Sequence, residues 1–99
     1  MQDKGKVFNL DNTLYNISYR INGLYPFNVI LHKNPKKPLN GFVVSMSKKV
    51  YKKHGLRIMY EIYSYFKEEL NMKAVLIFEK YRKPFFSKEM YIYYSIKIN

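Results

Sequence analysis

The sequence predicts a small α+β protein: an antiparallel sheet of about four to five strands, with one central helix packed on one face. Residues 15–21 and 90–98 alternate apolar and polar side chains, as strands with one buried face do. Between them, the segment from about Ser47 to Asn71 has apolar residues at helical spacing. These patterns predict the order hairpin, helix, hairpin within a single domain that spans residues 1–99.

The first predicted hairpin begins with a strand from Tyr15 to Ile21. Asn22-Gly23 follows, a pair that tolerates the positive φ of tight hairpin turns, and Leu24 to Leu31 is the expected partner strand. Proline has no amide hydrogen to donate to the hydrogen bonds between strands. Either Pro26 therefore faces an open edge of the sheet, or the paired part of the strand begins at Phe27.

A loop and a short strand connect this hairpin to the helix. The stretch 32–40 contains two prolines among lysines, which indicates an exposed loop, and Gly41 to Ser45 is a candidate short strand.

The central helix is expected to start after a cap at Ser45 or Ser47 and to end near Asn71. Lys48 and Lys52 project into its apolar sector, where a buried charge is costly. The helix therefore either overhangs the sheet or is kinked. In a second interpretation, His54-Gly55 closes a short basic helix and another helix begins near Leu56.

A second hairpin is predicted after the helix. Within 73–81, the apolar run Ala74 to Phe78 is typical of a central strand buried on both faces. Residues 82–89 include Pro84 and are expected to be a loop, and Met90 to Ile98 is the expected final strand.

Composition excludes several classes of protein. Cysteine is absent, which excludes disulfides, thiolate metal sites and cysteine nucleophiles. With two histidines and scattered carboxylates, the sequence indicates neither a metal site nor a cofactor. No apolar run reaches the roughly 20 residues of a transmembrane segment, and the polar residues 1–6 do not resemble a signal peptide, so the expected location is intracellular.

The distribution of charge is the main functional signal. From Asn12 to Tyr60 the chain carries nine cationic side chains and no Asp or Glu, and the net charge of the whole chain is +11. A field of one sign concentrates phosphates, and each phosphate that is neutralised releases counterions. We therefore expect a polyanionic partner, the phosphate backbone of DNA or RNA. The candidate contacts are Lys33, Lys36, Lys37, Lys48, Lys49, Lys52, Lys53 and Arg57.

Only three of the 18 cations are arginine, the residue that best reads guanine and clamps phosphate, so the expected binding has little sequence preference. Two other interpretations stay open. The lysines could form an ordinary solvated face, or they could attach the protein to an anionic membrane surface.

The chain has 11 tyrosines, which could be core residues or could stack on bases. Tyr91 and Tyr93 lie on the face of the last strand opposite its apolar face. Because one helix covers only one face of a sheet, the second face is expected to be buried in a homodimer, with base stacking as the less favoured alternative. Four others lie in apolar patterns and are predicted in the core or at its edge: Tyr15, Tyr19, Tyr63 and Tyr65.

No catalytic constellation is evident. His32 and His54 could act with a lysine in RNA cleavage, yet nothing in the sequence brings the two histidines together. Neither a glycine-rich phosphate loop nor a Gly-x-Ser-x-Gly elbow is present. The sequence therefore predicts a protein that is not an enzyme.

The heavy use of Lys, Tyr, Ile and Asn across a cysteine-free chain of this size resembles small proteins encoded by filamentous and rod-shaped viruses of hot-spring archaea. The resemblance covers the composition of the whole chain and carries no motif or site residue. It implies a compact, dimeric protein in the host cytoplasm that is either a DNA-binding regulator or a virion or host-interaction factor.

The resulting hypothesis is a non-enzymatic basic domain that binds nucleic acid through backbone phosphates. The alternative is a dimeric protein-interaction or structural protein whose interface includes Tyr91 and Tyr93.

Overall fold

A computed structural model of the protein describes residues 9–24, 28–69 and 74–98. The strand order in its single four-stranded antiparallel sheet is β1-β2-β4-β3. This confirms the α+β class and the order hairpin, helix, hairpin, and it adds a helix ahead of the first hairpin. In chain order the elements are α1 (Leu10–Leu24), β1 (Ile30–Lys33), β2 (Gly41–Ser47), α2 (Lys48–Ser64), a π-helical segment (Tyr65–Glu69), β3 (Ala74–Arg82) and β4 (Glu89–Ile98).

The strand predicted at 15–21 is wrong, because these residues lie in α1. The apolar residues Leu10, Leu14, Ile17 and Ile21 recur at helical spacing and are buried. Asn9 caps the helix, since its side-chain Oδ1 accepts a hydrogen bond from the backbone N–H of Asn12 at 3.0 Å. Two tyrosines predicted in the core or at its edge, Tyr15 and Tyr19, are instead 66% and 74% exposed.

The predicted hairpin turn at Asn22-Gly23 is also wrong, since both residues belong to α1. Asn22 has a different structural role. Its Nδ2 donates to the carbonyl of Val29 and its Oδ1 accepts from the N–H of Val29, both at 2.9 Å. Val29 is fully buried, so Asn22 satisfies a buried backbone and attaches α1 to the chain that enters β1.

The first hairpin lies later in the chain than predicted, with Ile30–Lys33 in place of 24–31 paired against β2. The predicted alternatives for Pro26 and Phe27 lie outside the described residues. The loop at 34–40 is tied to β2 because Gly41 donates its N–H to the Lys37 carbonyl at 2.7 Å. A Cβ at position 41 would come within 2.6 Å of the Lys37 Cβ, which explains the glycine there.

α2 begins at the predicted Ser47 cap, whose Oγ accepts from the N–H of Val50 at 3.0 Å. The interpretation in which His54-Gly55 ends a first helix is wrong, because α2 continues through both residues. Gly55 is a packing residue: a Cβ there would lie 2.7 Å from the ring of Tyr51. The predicted end near Asn71 lies outside the described residues.

β3 is an edge strand, and the prediction of a central strand buried on both faces is wrong. Leu76 is buried, whereas Val75, Ile77 and Phe78 are 47%, 38% and 45% exposed. β4 is the last strand of the chain, as predicted, and it has a central position in the sheet because it pairs with both β2 and β3. A β-bulge at Glu79 interrupts the β3–β4 register.

Both helices pack on the same face of the sheet. One continuous core joins buried residues of α1 and α2 to alternate residues of the strands, among them Phe42, Ile92 and Tyr94. The other face of the sheet, which we call the open face, is covered by no helix in the part of the chain that the structure describes. Among the described residues, neither helix is long and apolar enough to cross a membrane.

Candidate nucleic-acid interface

The first half of α2 presents a row of cations to solvent. Lys49, Lys52, Lys53 and Arg57 are exposed, and Lys48 is half-buried. Lys52, Lys53 and Arg57 line an open depression along the helix. The amino end of a helix also carries partial positive charge, which adds to the field of these side chains. This half of the predicted basic set is therefore one continuous surface.

The tip of the β3–β4 hairpin is joined to this surface through Lys48. The backbone N–H of Lys48 donates to the carbonyl of Lys88 and its Nζ donates to the carbonyl of Pro84, both at 2.7 Å. These contacts resolve the expected problem of a lysine in the apolar sector, because the ammonium group reaches a backbone oxygen. The other lysine in question, Lys52, is exposed.

The tip adds three exposed cations that are not in the predicted basic set: Lys83, Lys88 and Arg82, of which Arg82 lies opposite Tyr91 on the open face. Together the segments 48–57 and 82–89 hold eight cations and a single carboxylate, Glu89. We call these eight residues the basic end: Lys48, Lys49, Lys52, Lys53, Arg57, Arg82, Lys83 and Lys88. Within the described ranges, none of the eight forms an ion pair with a carboxylate.

Two phenylalanines project from the same tip. The N–H of Ser87 donates to the carbonyl of Pro84 at 3.1 Å, which closes a tight turn with Phe85 and Phe86 as its two central residues. Their side chains are 87% and 97% exposed, and their rings contact each other edge to face, with centroids 4.8 Å apart. The signal for this feature was two adjacent apolar residues inside a predicted loop that contains proline.

The lysines of the β1–β2 loop lie at the other end of the sheet from the basic end. β2 separates the two sets, and its seven residues span about 20 Å. Lys33 pairs with Asp11 at 3.2 Å and Lys37 pairs with Glu79 at 3.1 Å, while Lys36 is exposed. The structure therefore does not bring the two predicted lysine sets together.

Glu79 is further stabilised as a carboxylate. The Ser95 hydroxyl, which donates to Glu79 at 2.6 Å, and then the Lys37 ammonium hold the pKa of Glu79 below its usual value. The Lys37 charge is thus partly neutralised within the protein.

Tyr91 and Tyr93 lie on the open face, half-buried, opposite Ser45 and Val43 of β2. On their other side the register places Arg82 opposite Tyr91 and Lys80 opposite Tyr93, with the Lys80 Nζ 5.1 Å from the centre of the Tyr93 ring. Exposed apolar residues of both edge strands lie on the same face: Ile30 is opposite Ser45, and Val75 and Ile77 are opposite Lys97 and Ser95.

The two histidines lie on opposite faces of the sheet. His32 is on the open face of β1, with its Nε2 3.5 Å from the Ser45 Oγ, and His54 is on α2, which packs on the other face. In the described part of the chain, no three His, Asp or Glu side chains come close enough to hold a metal ion.

Comparison with known proteins adds no identification, since no protein-family model, curated protein or solved structure matches this chain.

Proposed function

We propose that this protein binds nucleic acid through backbone phosphates, with little sequence preference, and that the basic end is the contact surface. The observation that carries the proposal is the joining of two basic segments, distant in sequence, into one surface through the Lys48 contacts to Pro84 and Lys88. The proposed role is binding and not catalysis. The location in a cell and the viral resemblance stay predictions.

The chemistry of the basic end favours phosphate contacts over base reading. Six of its eight cations are lysines, which act on phosphate as point charges, and only Arg57 and Arg82 can make bidentate contacts. Most of the free energy of binding would then come from counterion release, which does not depend on sequence.

The proposal leaves out Lys33, Lys36 and Lys37. Two of these lysines already pair with carboxylates, and all three lie at the opposite end of β2 from the start of α2, about 20 Å away. They therefore lie outside the proposed contact surface.

The test is a titration of the protein into fluorescently labelled duplex DNA, followed by anisotropy at low and at physiological salt. We expect binding that weakens steeply as salt is added and that differs little between unrelated sequences. Absence of binding at low salt to this duplex and to single-stranded DNA would refute the proposal, and binding that salt does not weaken would refute the phosphate mechanism.

A second candidate function is self-association through the open face. The observation in its favour is that Tyr91, Tyr93 and the exposed Ile77 lie on the open face, which neither helix covers in the described residues. If two copies pack there, a variant with Tyr91→Lys and Tyr93→Lys should sediment as a monomer at concentrations where the parent is a dimer. A parent protein that is monomeric, or a double variant that stays dimeric, would exclude this interface.

A further inference from the structure

The Phe85–Phe86 pair is not explained by packing. Both side chains are at the tip of the hairpin, and the ring contact that each makes is with the other. An aromatic side chain usually stabilises a protein by burial, which these two residues do not supply. Both are also flanked by cations on each side in sequence, since Lys83 precedes the turn and Lys88 follows it.

We propose that Phe85 and Phe86 stack on unpaired bases, so that the preferred ligand of the protein is single-stranded nucleic acid. The inference rests on the proposed function, because the cations of the basic end hold the backbone of the same strand. Stacking on an aromatic face needs bases that are not stacked in a duplex, and it tolerates any sequence because every base has a π-face.

The position of the tip is set by the fold. The contacts from Lys48 to Pro84 and Lys88 hold the turn against the start of α2. The fold therefore holds the two rings beside the start of α2, and we expect a strand that stacks on them to contact Lys49 and Lys53 with its phosphates.

An anionic membrane is the other surface that attracts exposed aromatic and basic residues, and the distribution of charge disfavours it. Membrane docking needs the cations in one layer around the inserted tip, because attraction decays within a Debye length of about 8 Å. α2 runs back along the sheet from the tip, and Arg57 lies nine residues beyond Lys48, about 14 Å along the axis. Cations in such a row match the phosphates along a nucleic-acid strand better than the plane of a membrane surface.

The experiment compares three proteins on two probes: labelled oligo(dT) of ~20 nucleotides, which is longer than a typical site, and a duplex of equal length. The proteins are the parent, the double variant Phe85→Ala with Phe86→Ala, and Phe86→Trp. Because the chain has no tryptophan, the indole of Phe86→Trp is the sole tryptophan reporter at the tip. Both positions are almost fully exposed, and circular dichroism checks that the variants fold.

We expect the double alanine variant to lose about tenfold or more in affinity for oligo(dT) while its affinity for duplex is unchanged. Phe86→Trp should retain affinity, and its fluorescence should be quenched by oligo(dT) and not by duplex.

The two proposals fail in different ways. If the alanine variant keeps the parent's ratio of single-strand to duplex affinity, the stacking inference is wrong and the phosphate-binding proposal stands. If the parent binds neither probe, both proposals are wrong. Phe-dependent binding to vesicles of phosphatidylcholine and phosphatidylserine, without binding to oligo(dT), would overturn the inference in favour of a membrane.

Discussion

Two triple variants with the same net charge separate a localised interface from a general effect of charge. One variant, Lys49→Ala with Lys52→Ala and Lys53→Ala, changes the basic end. The other, Lys33→Ala with Lys36→Ala and Lys37→Ala, changes the β1–β2 loop. Each variant loses three positive charges, so the net charge falls from +11 to +8 in both. A response to net charge alone would be identical in the two variants.

The structure sets the size of the expected difference. Of the eight cations in the basic end, Lys48 donates its Nζ to Pro84 and Arg82 lies on the open face, away from α2, which leaves six available for phosphates. Six contacts to duplex DNA correspond to a log-log salt slope of about −5.4, and removal of three reduces it to about −2.7. Between about 50 mM and about 200 mM salt, the parent would lose about 1,800-fold in affinity and the α2 variant about 40-fold.

The assay is fluorescence anisotropy with a labelled duplex at a series of salt concentrations. The loop variant is expected to keep the slope of the parent, because its surface ion pairs contribute little to stability and its lysines lie outside the proposed contact surface. Equal flattening of the slope in the two variants would refute the localised interface, as would flattening in the loop variant alone.

Two further predictions test the structural argument. Asn22→Ala should lower the free energy of unfolding by about 1–3 kcal/mol, because the buried backbone of Val29 loses two hydrogen bonds. The exposed Asn16→Ala on the same helix is the control, and equal effects of the two substitutions in urea unfolding would contradict the role of Asn22. Tyr94→Phe should reduce the fall in the free energy of unfolding that accompanies a rise in pH above about 10. Burial raises the pKa of Tyr94 above its usual value of 10.0, so above about pH 10 the unfolded chain binds fewer protons than the folded one and stability falls by up to about 1.4 kcal/mol per pH unit. The variant lacks this contribution, so its unfolding free energy should fall less than that of the parent between pH 9 and pH 11, about one unit either side of the usual tyrosine pKa. An equal fall in the two proteins would contradict the role of Tyr94.

The sequence by itself determined the features that depend on strong local patterns. The alternation at 90–98 has a single interpretation, and β4 occupies Glu89–Ile98. Ser47 caps α2 as predicted, because a serine just before a helical pattern has an acceptor for the first free N–H groups. From these patterns and the central helix, the α+β class followed.

The tertiary structure decided the secondary structure of segments whose apolar residues fit both the period of a strand and the period of a helix. Residues 15–21 satisfy a period of two, and Leu10, Leu14, Ile17 and Ile21 satisfy a helical period. Packing on β1 selects the helix, since that face buries all four side chains and leaves Tyr15 in solvent. The apolar run in β3 was similarly ambiguous, because strand order, which decides whether a strand is central, is a property of the whole sheet.

The candidate site depends on tertiary structure for the same reason. The sequence identified the lysines of α2 and those of the β1–β2 loop as one basic half of the chain. In three dimensions, the length of β2, about 20 Å, separates the β1–β2 loop from the start of α2, and hydrogen bonds from Lys48 attach the tip with Phe85 and Phe86 to α2. Neighbours in a folded surface are set by long-range contacts, and a count of charges along the chain contains no information about those contacts.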